Sequence, residues 1–104
     1  MKRRSPAGES EDRLIALATA LRGLRGVEDV CAFLEDLCTP AELEAMTDRW
    51  RVVPLLLRGL PYRDIHALTG VSVTTIGRVA RTLERGTGGY AAAARADAPA
   101  SESV

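Results

Sequence analysis

The chain has 104 residues, 46% of them hydrophobic and 4% aromatic, with a formal net charge of zero; it can build one small aliphatic core, and a chain this short often completes its burial by oligomerising. It contains no run of 18 apolar residues, so no membrane-spanning helix is expected. Met-Lys-Arg-Arg at the start leads into Ser-Pro-Ala-Gly-Glu-Ser and not into an apolar segment, which argues against a secretory signal and for a cytoplasmic protein.

Residues 1–9 read as a disordered N-terminus. A first helix is predicted from about Ser10 to Leu24, with Leu14, Leu17, Ala18 and Leu21 on one face and Glu11 and Asp12 in the first turn, where the helix dipole favours acids. A second runs from about Val27 to Leu37, with Gly26 as its N-cap and Val30, Phe33, Leu34 and Leu37 on one face. Cys31 and Cys38 stand seven residues apart with no histidine pair, so a zinc site is not expected and buried thiols are. Thr39-Pro40-Ala41-Glu42 is a capping box with proline at the first helical position, and it starts a third helix that ends near Gly59. Along that helix Leu43, Met46, Trp50, Val53 and Leu57 form a seam suited to another helix, in this subunit or a second one. Pro54 removes the amide that would bond to the Trp50 carbonyl and predicts a kink costing about 3 kcal/mol.

From Tyr62 to Leu83 two short amphipathic helices are joined at a glycine, the layout of a helix-turn-helix. Ile65 and Leu68 are the expected apolar stripe of the first, Gly70 its left-handed terminator and Val71 a plug between the two. Ser72 caps the second helix, whose Ile76, Val79 and Leu83 face inward. The outer face then holds Val73, Thr74, Thr75, Gly77, Arg78 and Arg81, and these together with Arg63, Ser72 and Arg85 are the expected DNA-binding residues. Thr74 and Thr75 are expected to discriminate bases, Val73 and Gly77 to allow close approach, and Arg63, Arg81 and Arg85 to hold phosphates. An ordinary αα-hairpin would need the same stripe and the same glycine. His66 departs from the usual pattern, because a small residue normally stands four positions before that glycine; either the imidazole points outward or the helices are splayed. Residues 87–104 read as a flexible C-terminal tail.

Charge is segregated along the chain. Gly26 to Asp48 holds seven acids and no base, whereas Arg49 to Arg85 holds seven arginines against Asp64 and Glu84. Such a chain can present one cationic face to phosphates with its acidic part pointing away. No carboxylate pair, Cys-His constellation or glycine-rich loop after a strand points to an enzyme, and His66 is the only histidine.

Phe33-Leu-Glu-Asp-Leu-Cys-Thr-Pro-Ala-Glu-Leu-Glu-Ala-Met46, then Arg49, Leu57-Arg-Gly59, Tyr62, Ile65, Thr69-Gly70, Thr75-Ile-Gly-Arg-Val79 and Gly88-Gly-Tyr90 resemble the Trp-repressor-related group labelled YerC/YecD, over about residues 13 to 90. The resemblance implies an all-α, intertwined homodimer whose early helices build a shared core and whose reading helices each address half of a roughly symmetric operator. It makes residues 10–86 a DNA-binding and dimerisation domain with the helix-turn-helix at 62–84. Its expected role is sequence-specific regulation of transcription, as a repressor, on double-stranded DNA; the alternative is a helical protein–protein interaction module that has lost DNA binding.

In that family the Trp repressor holds an amino-acid corepressor between core and reading helix. The positions that correspond here are Thr39, Arg49 and Arg78, where two guanidinium planes can sandwich an indole and one can pair a carboxylate. Val79 stands where the repressor has glycine, and its branched side chain is expected to enter the ligand's space. No cofactor is therefore expected; a small-molecule effector fits the resemblance, whereas L-tryptophan is disfavoured. Otherwise Arg49 and Arg78 contact phosphates, or acids such as Asp48.

Overall fold

The computed structural model describes residues 6–97; positions 1–5 and 98–104, where parts of the two expected tails fall, lie outside the described residues. Six helices and no strands are found among the described residues: α1 (Pro6–Arg22), α2 (Gly26–Leu37), α3 (Pro40–Leu57), α4 (Tyr62–Thr69), α5 (Val73–Arg85) and α6 (Gly89–Asp97). The all-α reading holds. Helix α1 starts four residues earlier than its acidic first turn indicated, so residues 6–9 are helical and not part of a disordered arm. The chain divides into two compact units, Met1–Pro40 and Ala41–Val104.

In the first unit, neither α1 nor α2 contributes a residue to the buried core. Leu14, Ile15, Val27 and Leu37 are exposed, and Val30, Phe33 and Leu34 are only half-buried. The two cysteines share this openness: Cys31 is exposed and Cys38 half-buried, not the buried thiols expected. The α2 N-cap is Arg25, with no side-chain cap bond, and Gly26 is the first helical residue instead of the cap.

The second unit carries the described core. Val52 and Val53 of α3, Ile65 of α4, Val71 of the turn, and Ile76 and Val79 of α5 are buried together, with Trp50, Leu60, Leu83, Tyr90 and Ala94 packed around them. Helix α3 begins at Pro40, where the missing proline N–H costs nothing. It then runs through Pro54, which sits on the exposed side while its two preceding valines are buried. Arg58 N–H bonds to the Pro54 carbonyl at 3.1 Å and Leu60 N–H returns to the Leu55 carbonyl at 3.2 Å, closing the helix end. Of the apolar seam on α3, Val53 is buried and Trp50 half-buried, but Met46 and Leu57 remain exposed.

The expected C-terminal tail is corrected over residues 89–97, half of its length. Residues 89–97 form α6, and Tyr90 and Ala94, four apart on one face, pack on the core. A run rich in alanine has high helix propensity, and an aromatic at its start supplies the anchoring contact. Gly86 makes the preceding turn: a side-chain carbon there would lie 2.5 Å from the Thr82 carbonyl oxygen.

Candidate nucleic-acid interface

The joint between α4 and α5 is fixed by bonds that sequence spacing only partly revealed. Gly70 takes φ +76° and its N–H bonds to the His66 carbonyl at 2.8 Å, ending α4 as expected. The Thr69 hydroxyl donates to the Ile65 carbonyl at 2.7 Å and accepts the Val71 N–H at 3.1 Å. The His66 ring reaches across the turn, with Nδ1–H donating to the Val71 carbonyl at 2.8 Å. His66 is exposed, so the first of its two expected arrangements holds: the imidazole lies outside the helix contact and serves as a strap over the turn. Sequence reading missed Thr69 and His66 as turn residues; a threonine directly before the terminating glycine was the available signal.

Val71 is buried as the plug, and Ile76 and Val79 are buried beneath α5. Leu68 is not part of the stripe, being 66% exposed. In this eight-residue helix the inward line runs through Ile65 and half-buried Thr69, four residues apart, and Leu68 falls to its side.

Ser72 caps α5 by accepting the Thr75 N–H at 3.1 Å, and its hydroxyl donates to the Thr75 hydroxyl, also at 3.1 Å. Val73, Thr74, Arg78 and Arg81 are exposed on α5, Arg85 is exposed at its end, and Arg63 is exposed on α4. Thr75 and Gly77 are half-buried. The Thr75 hydroxyl is engaged with Ser72, and its side chain faces α3 as part of a cleft; Thr75 is thus not placed like the freely exposed Thr74.

Two of the clefts that border α5 carry arginines. One, of about 370 Å³, is lined by Arg78, Arg81, Thr82, Arg85 and Gly86; three guanidinium-bearing residues within two turns of one helix make an anion-attracting groove. The other, of about 290 Å³, is lined by Ala41, Glu44, Ala45, Asp48, Arg49, Thr75 and Arg78. The expected effector residues Arg49 and Arg78 are therefore brought together, and Arg78 borders both clefts. Asp48 pairs with Arg51 at 3.8 Å. Thr39 belongs to the Met1–Pro40 unit and is exposed. Val79 faces inward as its place on the α5 stripe predicted, being 1% exposed and packed among the core valines and isoleucines, and it does not line the cleft, against the expectation that it enters the ligand's space. The i, i+3 relation to Ile76 turns Val79 to the core side of α5, while Thr75 and Arg78 turn to the cleft.

Gly77 carries a further signal. Glycine in a helix interior is about 1 kcal/mol less favourable than alanine, yet this one has no left-handed φ, and an added methyl would meet only ordinary van der Waals contacts. Nothing within the described unit requires its bareness.

Among the described residues no group of three or more His, Cys, Asp or Glu is arranged to hold a metal ion, and no helix is long and apolar enough to cross a membrane.

Comparison with known proteins agrees with this arrangement. The family model described as Trp repressor protein matches residues 12–97. A Bacillus subtilis protein, the uncharacterized protein YerC, is 35% identical over 74 residues, which is 71% of this chain and 71% of that one. A TrpR-like protein from Eubacterium eligens superposes with a TM-score of 0.74 at 33% identity, covering 79% of this chain and 84% of its own. A Trp repressor candidate from Staphylococcus aureus gives 0.72 at 32% identity, covering 77% and 80%.

Proposed function

From the premise that this chain belongs to the Trp repressor family, in its YerC-like group, we propose that it is a homodimeric, sequence-specific regulator of transcription that represses by binding double-stranded DNA through α4 and α5. The family is one of helical DNA-binding regulators and not of enzymes. The observation that carries the reading is the capped, exposed start of α5 lying beside the groove of Arg78, Arg81 and Arg85. Val73 and Thr74 then address base edges, where a methyl and a hydroxyl discriminate without bulk. Arg63, Arg81 and Arg85 hold phosphates and set register. Dimerisation is supported by the apolar side chains that α1 and α2 leave uncovered.

Salt dependence separates this function from that of a helical module docking another protein. Three phosphate-holding arginines per subunit make six in a dimer, and six contacts predict about a thousandfold loss of affinity between roughly 50 and roughly 200 mM salt. Selection of bound fragments from random duplexes should return a pseudo-symmetric site. Affinity for duplex DNA that is indifferent to salt, or absent, would favour the protein-docking module.

The cleft of Arg49, Thr75 and Arg78 is the place for a small-molecule effector, with Glu44 and Asp48 on its α3 wall. We propose that DNA binding does not require L-tryptophan, for a reason different from blockage. Val79 and Ile76 tie α5 to Val52 and Val53 of α3 through the core, so the reading helix is held without a ligand beneath it. Binding of a selected operator should change less than twofold on adding millimolar L-tryptophan; a gain of about tenfold, equivalent to 1.4 kcal/mol of coupling, would overturn this.

A further inference from the structure

The bare centre of α5 has two neighbours drawn from different elements. A methyl placed on Gly77 would lie 3.8 Å from Cε2 of Tyr62, the first residue of α4, and 3.9 Å from Nη1 of Arg81, one turn further along α5. Tyr62 is 41% exposed, an open position for a large aromatic. Neither its hydroxyl nor the Arg81 guanidinium has a hydrogen-bond or ion-pair partner among the described residues. The edge of an aromatic ring that carries a neutral donor, a cationic donor and a backbone stripped of its side chain thus border one half-buried spot on α5.

We propose that Tyr62, Gly77 and Arg81 form a seat for one phosphate of the DNA backbone. The Tyr62 hydroxyl donates to one phosphate oxygen, the Arg81 guanidinium makes a charge-assisted bond to the same group, and the missing side chain at Gly77 lets the phosphate come close enough for both. A phosphate fits this seat better than a base edge for two reasons. Arg81 is continuous with the cationic groove of Arg78 and Arg85, and Gly77 lies a full turn beyond Val73 and Thr74, past the part of a reading helix that meets the bases. The inference rests on the DNA-binding function proposed above and adds to it Tyr62, a positioning residue that spacing alone had not marked.

Tyr62→Phe removes only the hydroxyl. It should lower affinity about tenfold or more, because each subunit loses one hydrogen bond to a charged acceptor, on the selected duplex and on sheared genomic DNA alike. Because the phenol is neutral, the slope of affinity against salt should stay as in the wild type, whereas Arg81→Ala, which removes one phosphate contact from each subunit of the dimer, should lower that slope by about two. Gly77→Ala should raise the melting temperature while weakening DNA binding by tenfold or more, which separates a lost seat from a damaged fold. The direct measurement replaces the phosphates of the selected duplex one at a time by neutral methylphosphonates. One position in each half-site should cost the wild type affinity and cost the Tyr62→Phe/Arg81→Ala protein nothing further. The seat is overturned if Tyr62→Phe binds as tightly as the wild type, or if the two single variants lose sensitivity at different phosphates. A wild type that binds no duplex overturns the DNA-binding function itself, and the seat with it.

Discussion

Thr74 and Thr75 are adjacent and chemically identical, yet the structure gives them different surroundings. Thr74 is exposed, while Thr75 is half-buried, hydrogen-bonded to Ser72 and set in the wall of the cleft of Arg49 and Arg78. Thr74→Ala should therefore narrow the gap between the preferred and bulk sequences by about 1 kcal/mol, at the low end of one base-edge contact, in competition binding assays. Thr75→Ala should shift affinity for all sequences together and leave their ranking intact; a change in ranking would return Thr75 to the base-reading face. Ser72→Ala deletes the cap and should lower folding stability by about 1 kcal/mol in urea titration. The cap, the plug and the left-handed glycine were all legible in the residues, because each depends on its immediate neighbours in the chain. Leu68 was misplaced for the converse reason. A three-residue step in an eight-residue helix leaves the direction of the inward line undetermined until the partner helix is in position.

At the scale of elements, α6 tests how far composition can be trusted. Alanine and glycine after Gly86 have the look of a tail, but Tyr90 and Ala94 rest against the core beside Leu83. Truncation before Gly89 should lower stability measurably, by about 1–3 kcal/mol for losing a partly buried tyrosine and its neighbours; an unchanged urea midpoint would restore the tail. Helix α5 is held from below by side chains at 0% and 1% exposure, Ile76 and Val79. Ile76→Ala should cost about 2–5 kcal/mol of stability, with α5 lost from protected amides before α1 in hydrogen exchange. Helices α1 and α2 present the opposite situation: their apolar stripes are legible as periodicity, but no core residue of the described chain comes from them. An amphipathic face with no buried residue on it is incomplete within one chain.

For the whole molecule, that incompleteness predicts a dimer in sedimentation at micromolar concentration, and Leu14→Glu on the exposed stripe of α1 should shift it to monomer while the α3–α5 core stays folded. A species that remains monomeric at all such concentrations would contradict the homodimer. Operator binding should fall together with dimerisation, because two half-sites must be engaged at once. The sequence by itself determined the all-helical class, the start of α3 at Pro40, the turn at Gly70, the cap at Ser72 and the gathering of arginines after Arg49. The start of α3, the turn and the cap are each decided by residues within a few positions of one another. Only the tertiary structure decided that Val79 belongs to the core and does not line the cleft of Arg49 and Arg78, that Arg78 borders both clefts, that His66 straps the turn, and that Tyr62 and Arg81 both border Gly77. Those relations join residues on different helices or choose between faces of one helix, and the choice is made by which apolar surfaces can be buried together, a property that no single segment of the chain possesses.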